Sequence, residues 1–128
     1  MCLLDAVEEW DSVQIVCRAT SHRLADHPLR SRMRLGITAG VEYAAQAMAV
    51  HGALLAQDDA PPCIGFLTSV RDVRWQRSRL DDLTCDLRIC AGLISANANS
   101  MLYHFTVQAA DMQLLSGRAS VMLKAPDA

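Results

Sequence analysis

The stretch from Thr38 to Ala56, TAGVEYAAQAMAVHGALLA, constrains the fold of this chain more than any other. It is rich in helix-forming residues, and its apolar side chains leave no broad polar face, which is the pattern of a buried helix. The stretch is close to the length that spans a bilayer, but Glu42, Gln46 and His51 interrupt it and no basic clusters flank it. The sequence therefore predicts the central helix of a soluble domain without a membrane span.

Length and composition indicate a single globular domain over residues 1–128. With 52% hydrophobic and 20% charged residues the chain can enclose one core, and a net charge of −2 gives no general attraction to nucleic acid or membranes. Five cysteines without a C-x-x-C pair or a histidine at ligand spacing are typical of reduced thiols, not of a metal site. The acidic N-terminus lacks the basic region of a signal peptide, so we expect a cytoplasmic protein.

Alternation of apolar and polar residues predicts β-strands on both sides of the helix. Before it, residues 3–7 and 13–20 form a hairpin around a turn. The short connections after the helix favour antiparallel pairing of consecutive strands. These four later strands are predicted over residues 63–76, 82–96, 100–110 and 112–124.

A helix without a polar face cannot lie on a flat open sheet that has water on its other side. The sheet must curl around the helix, or a second subunit must cover what the sheet leaves open. The sequence therefore predicts an α+β hot-dog fold, in which a curved antiparallel sheet wraps around one long buried helix. A curved sheet of this kind leaves an edge strand, and pairing of edges across a two-fold axis predicts at least a dimer.

Two positions on the helix stand out as candidate functional residues. Glu42 and Gln46 lie four apart and so share one helix face. A carboxylate in the first helical turn is favoured by the helix dipole, by about 0.3–1 kcal/mol, but the same carboxyl lining a pocket can act as a general acid or base. The residues alone leave both interpretations open. Gly40 in the first turn allows a ligand to approach the free amides of the helix N-terminus.

The helix and the loop before it also resemble a known family. VEYAAQAMA, which contains Glu42 and Gln46, resembles the helix motif of the hot-dog 3-hydroxyacyl-[acyl carrier protein] dehydratases, and SHRLADHPLR resembles the loop that carries their catalytic histidine. The closer resemblance is to the dehydratase-like branch of aryl polyene pigment gene clusters, where SHR…PLR, EYAAQAMAVHGAL and SVRDVR recur together. It covers the chain from LLDAV to GRASVML.

The resemblance implies an acid–base pair. His22 matches the loop histidine, the expected base, and Glu42 matches the helix acid, a half-buried carboxyl that stays protonated near neutral pH. His27 is an alternative base because it directly precedes Pro28. The familiar Gly-His-Phe-Pro string is absent, and His22 and Glu42 lie 20 positions apart, more than in the standard fatty-acid enzymes. In this family the histidine and the acid of one pocket come from different subunits.

The remaining parts of the expected site follow from the same chemistry. Dehydration of a 3-hydroxyacyl thioester to the trans-2-enoyl thioester needs donors for the thioester carbonyl, and the backbone amides of Gly36, Gly40 and Val41 are the candidates. Gln46 is expected to orient Glu42, and neither a metal nor an organic cofactor is required. The expected partner is an acyl carrier protein or an acyl-CoA thioester. Arginines near the loop and in the later strands are candidates for steering an acidic carrier: Arg30, Arg32, Arg34, Arg71, Arg74, Arg77 and Arg79.

Two other functions remain open from the sequence. A hot-dog thioesterase would need only Glu42, to activate water against the thioester carbonyl. A non-catalytic subunit would pair with a second, complete dehydratase and lend it a surface or one catalytic residue. The assembly is accordingly expected to be a homodimer, a trimer of dimers, or a heterodimer with a second dehydratase. His51 is expected to be a hydrogen-bonded core residue, and His104 to face solvent.

Overall fold

The computed structural model describes residues 2–32, 34–55, 64–97 and 99–124. The chain forms one long helix and six strands. The hairpin strands and the helix are β1 (Ala6–Trp10), β2 (Gln14–Ala19) and α1 (Ala39–Leu55), and a short 3-10 turn covers Ser21–Arg23. The later strands are β3 (Ile64–Trp75), β4 (Leu87–Ala96), β5 (Ser100–Ala109) and β6 (Met112–Lys124). Every predicted element is present, but β1 begins at Ala6 and not at residue 3, and β4 begins at Leu87 and not at residue 82. The predicted ends of the helix at Ala56 and of β3 at Cys63 lie outside the described residues.

The six strands form one antiparallel sheet in the order β1-β2-β4-β5-β6-β3. The prediction that consecutive strands pair is right for β1–β2, β4–β5 and β5–β6 but wrong for β3–β4. β3 pairs with β6 at one edge of the sheet, and β4 pairs with β2. The reason lies in residues 76–86, which bond to the segment before the helix instead of forming a tight turn. Ile37 donates its amide proton to Ser78, and Leu80 donates to Leu35.

The sheet covers only one face of α1. The inner side of the sheet contacts Tyr43, Ala44, Ala47 and Met48, which are all buried. The sequence predicts a helix buried all round, but Glu42 and the apolar residues Ala49, Ala53 and Leu54 are exposed on the face that the sheet does not reach. The structure nonetheless has the predicted α+β hot-dog fold. In the described part of the chain, no helix has the length and apolarity to cross a membrane.

Candidate active site

A directional chain of hydrogen bonds ties the loop before α1 to the helix. His27 Nδ1 accepts the amide proton of Leu29 at 3.1 Å, so the neutral ring carries its own proton on Nε2, which lies 3.1 Å from the Tyr43 hydroxyl. Tyr43 Oη therefore accepts from His27 and donates to Ser21 Oγ at 2.6 Å. Ser21 in turn donates to the Leu3 carbonyl at 2.8 Å. This chain of bonds fixes the tautomer of His27.

The environment of His27 keeps its ring neutral but engages both nitrogens. Burial lowers the pKa of His27, and the nearby Arg30 lowers it further, while Asp26 acts in the opposite direction. The ring is only 3% exposed. The lone pair on Nδ1 that a base needs is already used by the Leu29 amide. In this arrangement His27 positions the loop and presents no free lone pair to a substrate.

His22 is enclosed in a different part of the loop, within the 3-10 turn. Its side chain is fully buried, and neither ring nitrogen has a hydrogen-bond partner among the described residues. Burial, followed by the charge of Arg23, lowers the pKa of His22. Backbone groups of Cys85 and Leu83 near the ring act in the opposite direction and raise this pKa. Neither of them has hydrogen-bond geometry to a ring nitrogen. Neutral His22 thus has one uncommitted lone pair and one uncommitted N–H but no exposed surface, and its role as base stays a prediction.

Glu42 is the candidate that the fold presents openly. It lies in the first turn of α1, on the face left open by the sheet, and its side chain is exposed. The expectation of a half-buried carboxyl is therefore wrong for the single chain, because the sheet packs against the opposite face of the helix. A second subunit on the open face would remove this carboxyl from water.

The expectation that the helix N-terminus offers free amides is wrong for two of its three residues. The Gly40 amide donates to the Ile37 carbonyl at 2.9 Å, and the Val41 amide donates to the Thr38 carbonyl at 3.1 Å. Gly40 has a packing role instead, because a Cβ there would lie 2.6 Å from Leu115 Cδ2 of β6. The glycine lets the helix pack closely against the sheet, whereas the sequence predicted that it would let a ligand approach the helix N-terminus.

Gln46 connects the helix to the N-terminal segment. Its Oε1 accepts the amide proton of Leu3 at 2.7 Å, and Leu3 also receives the bond from Ser21. The sequence-based role of Gln46, orienting Glu42, stays a prediction, whereas the observed bond anchors residues 2–5 to α1. Tyr43 and Ser21 were not predicted from the sequence. A tyrosine inside an otherwise apolar helix was the available signal, because a buried phenol requires a hydrogen-bond partner.

The two remaining histidines lie where the sequence placed them. His51 is fully buried, with Nδ1 2.6 Å from the Tyr103 hydroxyl and Nε2 2.8 Å from the Asp11 carbonyl. The Asp11 carbonyl can only accept, so Nε2 of His51 donates to it and Nδ1 accepts the proton of the Tyr103 hydroxyl. Burial raises the pKa of Tyr103 to about 12. His104 is exposed on β5. Both predictions are confirmed, and both residues lie apart from the site. No described group of three or more His, Cys, Asp or Glu side chains is arranged to hold a metal.

Several candidate docking arginines are engaged inside the chain. Asp81, with a side chain only 5% exposed, accepts hydrogen bonds from the Arg79 guanidinium and from the Leu35 amide, and it lies 3.5 Å from Arg30. Arg79, above all by hydrogen bonding, holds the pKa of Asp81 well below its usual range. This cluster fastens residues 76–86 to the segment that leads into α1.

The fold is of the hot-dog class, and Glu42 is an exposed carboxyl on the open face of its helix. The model of the ApeP-like family, described as ApeP dehydratase, matches residues 1–128, so the chain belongs to this family. The resemblance to the aryl polyene branch is confirmed, and the function is that of a dehydratase in aryl polyene biosynthesis.

Solved structures of low sequence identity share the fold. The dehydratase heterocomplex ApeI:P from Xenorhabdus doucetiae matches with a TM-score of 0.80 at 20% identity, over 98% of this chain and 85% of that chain. A mutant of the hypothetical protein SAV0944 from Staphylococcus aureus matches with a TM-score of 0.69 at 13% identity, over 94% of this chain and 93% of that chain. The thioesterase HI1161 from Haemophilus influenzae matches with a TM-score of 0.66 at 11% identity, over 93% of this chain and 77% of that chain. No curated protein matches the sequence.

Proposed function

We propose that this chain dehydrates a 3-hydroxyacyl thioester carried by an acyl carrier protein to the trans-2-enoyl thioester, with Glu42 as its catalytic acid. The observation that carries the proposal is the placement of Glu42, an exposed carboxyl in the first turn of a helix whose other exposed residues are mainly apolar. An apolar face with one carboxyl fits an acyl chain with one hydroxyl to be protonated. Membership in a dehydratase family supports the reaction type.

The reaction removes a proton from C2 and hydroxide from C3. Glu42 donates its proton to the leaving hydroxyl, which departs as water, and a histidine takes the C2 proton. The electron pair of the C2–H bond forms the new double bond, and the pair of the C3–O bond leaves with the water. Carboxyl groups taken out of water hold their proton more tightly, so covering the open helix face with a second subunit favours the acid form that the reaction needs.

The source of the histidine separates two versions of the enzyme. In a homodimer or trimer of dimers, His22 or His27 of one chain serves Glu42 of its neighbour. In a heterodimer, a second hot-dog dehydratase supplies the base and this chain lends Glu42. The enclosure of His22 and the engagement of both His27 nitrogens favour the heterodimer. A related fold occurs in a complex named a dehydratase heterocomplex, which supports the same choice.

Mass spectrometry of a 3-hydroxyoctanoyl carrier protein tests the proposal. The purified chain is incubated with the substrate, alone and after mixing with a histidine-bearing hot-dog dehydratase subunit. We expect loss of water with an intact thioester only in the mixture, and a rate at least about 100-fold lower with Glu42→Gln. Glu9→Gln, which alters an exposed carboxylate on β1, is the matched control and should leave the rate unchanged.

The histidine variants decide between the two assemblies. Activity of the chain alone that His22→Gln or His27→Gln abolishes, with the fold intact by circular dichroism, would establish the homomeric enzyme. Release of free acid would favour the thioesterase. Full dehydration by the Glu42→Gln variant would overturn the proposal. We place the reaction in the cytoplasm, where cysteines such as Cys17 and Cys90 stay reduced.

A further inference from the structure

A cavity of about 310 Å³ lies on the side of the sheet opposite α1. Register shows which side this is: Tyr103 and Ala119 are paired and buried beneath the helix, whereas the next pair along, His104 and Arg118, is exposed. The cavity is therefore separate from the face that carries Glu42. Its lining comes from β3, β5 and β6 and includes the polar residues Ser69, Arg71, Asp72, Arg118 and Ser120 together with Leu102.

Basic side chains are aligned across three adjacent strands at this cavity. Arg71 of β3 is directly opposite Arg118 of β6, and Arg118 is directly opposite His104 of β5. Like charges at directly opposed positions of an antiparallel pair are destabilising. Two facing arginines thus create a site of positive potential in a chain whose net charge is −2.

The chain neutralises this charge only weakly. Asp72 Oδ2 lies 4.0 Å from Arg118 Nε, and the two side chains are 69% and 57% exposed, so this ion pair is loose. Arg71 makes no ion pair with any described residue. Asp72 has φ 56° within a bulge of β3, a backbone geometry that re-aims side chains and that is enriched at functional sites.

We propose that this cavity binds a phosphate group of a small organic ligand. Arginine guanidinium groups match the geometry of phosphate, and Arg71 and Arg118 approach it from adjacent strands. Ser69 and Ser120, which are also directly opposed, add two hydroxyl donors, and Leu102 offers an apolar contact beside them. The volume is at the small end of ligand pockets. The phosphate is either that of a nucleotide, such as the 3′-phosphate of a coenzyme A thioester, or free phosphate. This site does not depend on the proposed dehydration.

Isothermal titration calorimetry of the full chain at low salt tests the assignment, with inorganic phosphate and adenosine 3′,5′-bisphosphate as probes. We expect both probes to bind. The double variant Arg71→Gln/Arg118→Gln should weaken binding at least about tenfold. Asp72→Asn should tighten it about threefold, because the competing carboxylate is lost and asparagine tolerates positive φ. Arg88→Gln, which removes an exposed arginine of β4, is the matched control and should have no effect.

The two probes separate the sources of the phosphate. Bisphosphate binding at least about tenfold tighter than phosphate supports a nucleotide ligand, and equal binding supports free phosphate. No heat with either probe would overturn the proposal. So would a dissociation constant that the double arginine variant leaves unchanged, or equal displacement of phosphate by the same concentration of chloride.

Discussion

The Nε2 of His27 lies 3.1 Å from the Tyr43 hydroxyl, and the direction of that bond is set by the Leu29 amide at the other ring nitrogen. One consequence is that Tyr43, although next to Glu42 in sequence, serves the loop on the inner side of the helix. The helix therefore separates two tasks. Its buried face holds the loop in place, and its open face presents the carboxyl.

Tyr43→Phe tests the hydrogen-bond chain. Loss of the hydroxyl leaves the His27 Nε2 proton and Ser21 Oγ without their buried partner, which should lower the free energy of unfolding by about 1–3 kcal/mol. Urea unfolding of Tyr43→Phe, Ser21→Ala and the double variant measures the coupling. Because both residues belong to one chain of bonds, we expect the losses to be non-additive by at least about 0.5 kcal/mol. Additive losses of unfolding free energy would contradict the connection of Tyr43 and Ser21 by one series of hydrogen bonds.

Two glycines of α1 form a matched pair. Gly40→Ala places a Cβ against Leu115 and should destabilise the fold by about 1–3 kcal/mol through overpacking. A Cβ at Gly52 meets nothing within 4 Å, so Gly52→Ala should stabilise the helix by about 0.5–1 kcal/mol. Thermal unfolding of the two variants should therefore move in opposite directions. A stable Gly40→Ala variant would show that the helix does not approach β6 as closely as described.

Stability should fall as the solution is acidified through the histidine range. The pKa values of His22 and His27 are lowered from 6.5 by burial, so the unfolded chain binds more protons than the folded one just below that pH. The stability that the two neutral histidines contribute is fully present above about pH 6.5. It is lost as the pH falls toward their pKa values in the folded chain. The slope is at most about 1.4 kcal/mol per pH unit for each histidine.

Urea unfolding between about pH 7 and about pH 5 measures this slope, above the range in which carboxylates titrate. His22→Gln and His27→Gln should each flatten the profile. His104→Gln, at an exposed position, is the control and should leave the slope unchanged. An unchanged slope in both buried variants would contradict the enclosure of these rings.

Asp81→Asn should loosen the segment before α1. The carboxylate is nearly buried and joins Arg79, Arg30 and the Leu35 amide, so its loss leaves these partly buried donors without their charged acceptor. Asp82→Asn removes a comparable pair with Arg77 whose side chains are 31% and 40% exposed, and it should cost much less. Hydrogen exchange at the Leu35 and Ile37 amides should rise in Asp81→Asn only. Equal protection in both variants would contradict the role of Asp81.

Because the pKa of Asp81 is lowered, its contribution to stability is present above the ordinary value of 3.8 and is lost as the pH falls below it. The acid limb of the stability profile should therefore be less steep in Asp81→Asn. This part of the profile lies at lower pH than the range in which His22 and His27 titrate. One measurement of stability against pH therefore separates the effect of Asp81 from that of the two histidines.

Local sequence patterns determined the elements of this protein. A period of two in residues 100–110 marked β5, and Tyr103 and His104 lie on the sides that it predicted. The long apolar stretch marked α1 within one residue at its N-terminus. The helix motif with Glu42 identified the family, because a motif consists of residues close in sequence and can be recognised without knowing how they pack.

Tertiary structure decided what those elements contact. The pairing of β3 with β6, the enclosure of His22 and the engagement of the Gly40 amide all depend on residues distant in the chain, which no local period records. The same is true of Arg71 and Arg118, which lie 47 positions apart and meet only through strand register. Which face of α1 is open was likewise set by the sheet, because an all-round apolar helix does not encode which side its own chain will cover.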